Sequence, residues 1–195
     1  MRVRVFVVRA AVALALSASA VSLAGETGEL TRADSVLPAL LRGAIAPEFF
    51  MLGLDNETEF SREHVLEDIK KSGAKRVVLT FFATWCEVCA REFVQLKNNA
   101  ETLKKKGVLV YLINVGEPIH TKGALAEKFV KDYAANAFPN WFDPNANTLK
   151  RFGLIEQRQT AYPLPIIVVF DSKMKVLWVL RDPGDDFPKI LWGGL

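Results

Sequence analysis

Phe81-Phe82-Ala83-Thr84-Trp85-Cys86-Glu87-Val88-Cys89-Ala90-Arg91-Glu92 holds both cysteines of the 195-residue chain, two residues apart. On its N-terminal side, Val77 to Phe82 is a continuous apolar run of strand length, the kind that is buried on both faces of a sheet. On its C-terminal side, Glu87 to Lys106 has helical spacing. Phe93, Leu96, Ala100 and Leu103 recur every three or four residues, and Gly107 is placed to end the helix. The cysteines therefore fall where a buried strand gives way to an amphipathic helix.

The flanking segments extend this pattern. Upstream, Thr58 to Ser72 is expected to be a helix closed by Gly73, and a short helix is expected around Val36 to Arg42. Downstream, Val108 to Asn114 is a second buried strand, and Gly123 to Ala135 a helix with Leu125, Phe129, Val130 and Tyr133 on its apolar face. Asp143-Pro144-Asn145 reads as a turn, and Ala146 to Phe152 as a short helix stopped by Gly153. Ile166 to Phe170 and Lys175 to Leu180 are strands joined by the turn Asp171 to Lys173, a hairpin. No repeat or low-complexity tract interrupts this order. Strand, helix, strand, helix and two further strands predict an α/β fold, a central mixed sheet flanked by helices.

The first 24 residues stand apart. Met1 to Arg9 carries three arginines, and Ala10 to Ala24 is an apolar run of small residues with cleavage-like sites at Ala18-Ser19-Ala20 and Ser22-Leu23-Ala24. This is the pattern of a secretory signal peptide, with a retained membrane anchor as the alternative. Residues 25–42 form a lead-in, and residues 43–195 are expected to be the folded domain. Residues 1–24 hold three of the 25 Lys and Arg and none of the 22 Asp and Glu, so the remainder carries 22 of each sign. No basic surface for nucleic acid remains after that correction. About 170 residues suffice for one domain with a real core.

Export to an oxidising compartment favours disulfides, yet a loop of two intervening residues removes little chain entropy. Cys86 and Cys89 are thus a poor staple and a better reactive pair. A helix N-terminus offers unpaired N–H groups and partial positive charge, and both favour the thiolate at Cys86. The expected cycle has Cys86 attacking a substrate disulfide and Cys89 then displacing the reduced substrate from the mixed disulfide. A structural zinc site needs four ligands, and the chain adds only His64 and His120, neither in a paired spacing. No metal ligand set and no cofactor are expected.

Phe81 to Glu92 resembles the active site of the thioredoxin-fold oxidoreductases, and more narrowly of the exported TlpA/ResA-like thiol–disulfide oxidoreductases, with their F-W-A-x-W-C-x-x-C-x-x-E stretch. Ala46-Pro47-Glu48-Phe49 is similar to the family's A-P-x-F entry. Ile113-Asn114-Val115-Gly116-Glu117 resembles the ending of its second strand. Phe152-Gly153-Leu154 followed by Leu164-Pro165 resembles its F-G-V and x-P-T segment. The resemblance covers residues 43 to 182 or so and implies a thioredoxin-like fold.

It also implies roles. Pro165 matches the family's cis-proline, which packs on the cysteine pair and presents the backbone of the preceding residue, here Leu164, to a substrate peptide. Pro163 is the competing register. Glu92 matches a buried glutamate that tunes the thiols and passes protons during exchange. Trp85 is expected to cover the pair, and Glu87 to be exposed. Three departures are present: Val88 in place of a proline between the cysteines, Val94 where a helix-kinking proline is common, and an ending, FPKILWGGL, that leaves little room for the usual final helix.

The resemblance implies a reductant of protein disulfides, such as the oxidised cysteine pair of apocytochrome c, fed by a membrane electron donor. A disulfide-donating oxidant on the same fold is the near alternative. A copper chaperone of the Sco-like kind is the alternative of another class, although its C-x-x-x-C spacing is absent. A peroxiredoxin-type peroxidase would need a P-x-x-x-T-x-x-C setting that is also missing.

Overall fold

The computed structural model describes residues 40–53, 57–115, 117, 124–134, 136–181, 184 and 187–192. The expected signal segment, most of the lead-in, Gly116 and His120 lie outside the described residues. Of the helix expected over Val36 to Arg42 only residues 40–42 are described, and these are not helical.

Strand Arg76–Phe82 (β3) is the centre of the domain. It pairs in parallel with Val108–Val115 (β4) and antiparallel with Ile166–Asp171 (β6). β6 continues through the expected hairpin into Val176–Arg181 (β7), antiparallel. Three short strands complete the other side: Phe50–Leu52 (β1), Glu59–Ser61 (β2) and Asn140–Asp143 (β5). The seven described strands form one mixed sheet in the order β2-β1-β5-β4-β3-β6-β7.

Helices cover both faces. Arg62–Ser72 (α1) and Asn147–Arg151 (α5) bury Val65, Ile69 and Leu149 on one face, against Leu79, Phe81, Ile113 and Val168. Glu87–Asn98 (α2), Ala100–Lys105 (α3), Ala124–Ala134 (α4) and Phe187–Trp192 (α6) cover the other. The helix expected over Glu87 to Lys106 is broken at Asn99, whose side-chain amide donates to the Gln95 carbonyl at 2.9 Å. Asparagine competes in this way for backbone groups and disfavours helix interiors. Gly107 ends α3 in the left-handed region (φ 72°), and its carbonyl accepts from Lys75 N–H at 2.8 Å, tying the helix end to the start of β3.

The ending does hold a final helix, α6, contrary to expectation. It is six residues long and is held by Arg76, whose guanidinium donates to the Leu191 carbonyl at 2.7 Å and stacks over Trp178. Pro188 sits in its first turn, where a proline is tolerated. Thr58 to Ser61 is not helical: Glu59–Ser61 pairs as β2, so α1 begins only at Arg62.

The layer under α2 is aromatic. Phe82 of β3 meets Phe93 of α2 edge-on at 4.8 Å and Phe129 of α4 at 5.5 Å, and Phe93 meets Phe129 at 5.6 Å. Truncating a ring so buried costs roughly 3–5 kcal/mol, so this cluster fixes how α2 lies on the strand that precedes it. Among the described residues no helix is long and apolar enough to cross a membrane.

Candidate active site

Three chain segments end at one edge of the sheet. β3 runs out at Phe82 and leads through Ala83-Thr84-Trp85 to Cys86. β4, parallel to it, runs out at Val115 and leads to Glu117. β6 runs the other way, so its first residue Ile166 pairs with Phe81 and places Pro165 at the same edge.

Cys86 is the N-cap of α2, in extended backbone (φ −89°, ψ 97°), and its carbonyl accepts from Ala90 N–H at 3.2 Å. Its sulfur accepts a hydrogen bond from Cys89 N–H at 3.2 Å. This sulfur therefore occupies the place of the side-chain oxygen in an ordinary helix cap. Cys89 follows one turn later, and the two sulfurs are joined in a disulfide, with Cα atoms 5.3 Å apart. Both cysteines are buried, Cys89 completely and Cys86 to 5% exposure, so Cys86 is the only one of the two that touches solvent.

Glu92 is buried as well, at 3%, on the same stripe of α2 as Cys89, Phe93 and Leu96. A carboxylic acid at such a position is uncommon. Glu87 is exposed. Trp85 is 59% exposed and stands out from the body at the helix entry instead of packing into the core. Leu164 is half-buried and packs against both core clusters, and the Leu164–Pro165 peptide is cis. Pro165 is buried whereas Pro163 is exposed. Val88 is partly buried beside the pair, and α2 runs through the exposed Val94 without interruption.

One polar contact at this edge was not foreseen. The Glu117 carboxylate accepts from Thr84 N–H at 2.6 Å, across 33 residues of chain, and Glu117 is 7% exposed. The signal in the sequence is a lone glutamate two residues past the end of a buried strand. Its partner, a backbone amide, has no sequence signature at all.

Asp143 is a third buried acid, after Glu92 and Glu117. It stands at the end of β5 and accepts from Thr148 N–H at 2.9 Å, capping the turn into α5. Burial pushes its carboxyl up to about 7, with the α5 amides pulling the other way. The expected turn is present, and its first residue, Asp143, is a buried cap.

His64 is engaged elsewhere. Its Nδ1 accepts from Ser61 N–H at 3.2 Å at the start of α1. Among the described residues no group of three or more His, Cys, Asp and Glu side chains is arranged to hold a metal ion.

Comparison with known proteins agrees with this architecture. Residues 43–179 match the model of the AhpC/TSA family. The thiol-disulfide oxidoreductase ResA of Geobacillus thermodenitrificans is 31% identical over 138 residues, which is 71% of this chain and 68% of that protein. ResA of Bacillus subtilis is 30% identical over 142 residues, 73% of this chain and 68% of that protein. The thioredoxin domain of a thiol-disulfide oxidoreductase from Bacteroides vulgatus shares the fold, with a TM-score of 0.55 at 17% identity over 78% of this chain and 99% of that one. The chain has a thioredoxin-like fold and belongs to the AhpC/TSA family, among the ResA-like thiol–disulfide oxidoreductases.

Proposed function

We propose that this protein is an exported thiol–disulfide oxidoreductase that works as a reductant of protein disulfides, with Cys86 as the attacking thiol and Cys89 as the resolving one. The observation that carries this is the Cys86 sulfur at the helix N-cap, accepting the Cys89 amide at 3.2 Å. An amide donor and the helix dipole both stabilise negative charge on that sulfur, and the thiolate is the nucleophile. Its slight exposure beside a fully buried Cys89 orders the roles.

The cycle follows. The Cys86 thiolate attacks one sulfur of the substrate disulfide, and the other substrate sulfur leaves and takes up a proton. Cys89 gives up its proton and attacks the Cys86 sulfur, releasing the second substrate thiol and closing the Cys86–Cys89 disulfide. An electron donor, expected at the membrane, then reduces the pair. Glu92, buried one turn after Cys89, accepts the Cys89 proton; a carboxylate there disfavours a standing thiolate and favours the reducing direction. Leu164 and Pro165 present backbone to an extended substrate peptide, and the exposed Trp85 provides an apolar platform beside it. The oxidised cysteine pair of an apocytochrome c is one substrate of this chemistry.

The test is thiol exchange with a protein disulfide. Cys86→Ser abolishes it, and Cys89→Ser accumulates a stable mixed disulfide through Cys86. A Cys86→Ser variant with wild-type exchange contradicts the assignment.

A further inference from the structure

The sheet face beneath α2 is apolar along most of its extent. Val78 and Phe82 of β3, Leu112 of β4, and Ile167 and Val169 of β6 form one buried cluster with Cys86 and Cys89. Two positions break this pattern. Side chains alternate along a strand, so Thr80 points to the same side as Val78 and Phe82, and Asn114 to the same side as Leu112. Both are 0% exposed. Neither the Thr80 hydroxyl nor either atom of the Asn114 amide has a hydrogen-bond partner among the described residues. A buried polar group left this way costs about 1–3 kcal/mol. Valine and leucine occupy the neighbouring positions of the same face, so packing alone does not call for a hydroxyl and an amide here.

Their location suggests what they are for. The edge-on contact of Phe93 with Phe82 sets α2 over β3, with Glu92 adjacent to Phe93 and Cys89 one turn nearer the helix start. Thr80 lies two residues from Phe82 along β3, between Leu112 and Ile167 of the neighbouring strands. Asn114 is the direct β4 neighbour of Phe82. The titratable groups that α2 buries towards this layer are Cys86, Cys89 and Glu92. α4 meets the layer with Ala126, Phe129 and Val130, and α6 with Leu191. Of the nearby charged groups outside α2, Glu117 lies beyond the end of β4 and binds Thr84 N–H, while Arg76 is at the opposite end of β3.

We propose that Thr80 and Asn114 are positioning residues of the redox cycle, which hydrogen-bond the Cys89 sulfur and the Glu92 carboxyl once the disulfide opens. This rests on Cys86 and Cys89 being an exchanging pair with Glu92 as proton acceptor. In the mixed disulfide, the Cys89 thiol transfers its proton to the Glu92 carboxylate, so the negative charge moves from oxygen to sulfur. The Cys89 thiolate then bonds to the Cys86 sulfur as the Cys86–substrate bond breaks, and the electron pair leaves on the substrate sulfur, which is protonated from solvent. Two buried groups thus exchange charge and proton within one step. A hydroxyl and a primary amide can each donate and accept, so they can satisfy the thiol–carboxylate and the thiolate–acid arrangement alike. Valine and leucine can satisfy neither.

The experiment uses Thr80→Val, the closest apolar shape, and Asn114→Leu, each in the whole chain. Reduced protein is mixed with a chromogenic aromatic disulfide, and release of the second aromatic thiol, which reports the Cys89 attack, is followed against pH. Thermal stability and the dithiol–disulfide equilibrium with glutathione are measured alongside. The expected result is a melting temperature equal to or above wild type, with the Cys89 step slowed about tenfold and its pH midpoint displaced. A tenfold change in the equilibrium is about 30 mV in potential. Wild-type rates and pH midpoints in both variants overturn the inference, and so does lowered stability with an unchanged pH profile, which marks the two residues as structural. If Asn114→Leu does not fold, Thr80→Val decides alone. Wild-type protein that fails to release the second thiol sinks the exchange reading itself, a result distinct from either variant outcome.

Discussion

The backbone amide of Thr84 donates to the carboxylate of Glu117 at 2.6 Å, tying the loop that delivers Cys86 to the end of the neighbouring strand β4. The loop spans only Ala83 to Trp85 between β3 and the cap of α2, and Cys86 N–H donates to the Ala83 carbonyl at 3.1 Å within it. Glu117 is thus a long-range contact that holds this turn, and through it the position of the Cys86 sulfur.

Glu117→Ala removes the acceptor and leaves a part-buried amide without one. The expected loss of stability is about 1–3 kcal/mol, measured by denaturant unfolding. Exchange by Cys86 should slow several-fold at a pH where the fold is intact. Unchanged stability and unchanged exchange would show that the contact positions nothing.

Glu92→Gln removes a buried carboxyl one turn from Cys89 and keeps its shape. Without that negative charge the Cys89 thiolate forms more easily, so its ultraviolet thiolate absorbance should appear at lower pH. Stabilising the reduced, thiolate form should also shift the pair towards a more oxidising potential. The second step of exchange should slow for want of a proton acceptor. A thiol titration identical to wild type would remove Glu92 from the mechanism.

Asp143 gives the protein a pH dependence of its own. Burial raises its carboxyl from the ordinary 3.8 to about 7. Between those values the folded chain keeps a proton that the unfolded chain has released, so stability falls as pH rises from about 4 to about 7. The decline amounts to a few kcal/mol across that window. Asp143→Asn should flatten this segment of the stability–pH curve while leaving the cap in place through its side-chain oxygen. An equally steep decline in the variant would assign the effect to other groups.

How much of this was legible in the sequence depended on element length. The strands β3, β4 and β6 declare themselves as long apolar runs, and the amphipathic helices α2 and α4 by their period. β1, β2 and β5 are three or four residues long and carry no alternation to detect; they are strands because neighbours pair with them. Asn98-Asn99 marks the break in the long helix only once the side chain of Asn99 is seen on the Gln95 carbonyl. The cysteine pair, Glu92 and Pro165 were visible because one motif and one strand entry place them. Glu117 and Asp143 were not identified as site groups, since both act on backbone amides that any residue supplies. Thr80 and Asn114 were hidden in strands whose buried positions are otherwise apolar, and only the face they share with the cysteines gives them meaning.

The most direct test of the central claim is the reduction potential of the Cys86–Cys89 pair. Purified protein is equilibrated with thiol–disulfide buffers and its thiols are trapped by alkylation. A reductant of protein disulfides should equilibrate near the thioredoxin end of the range, about −270 mV. A value near about −120 mV would make the pair a disulfide donor and contradict the direction assigned to it.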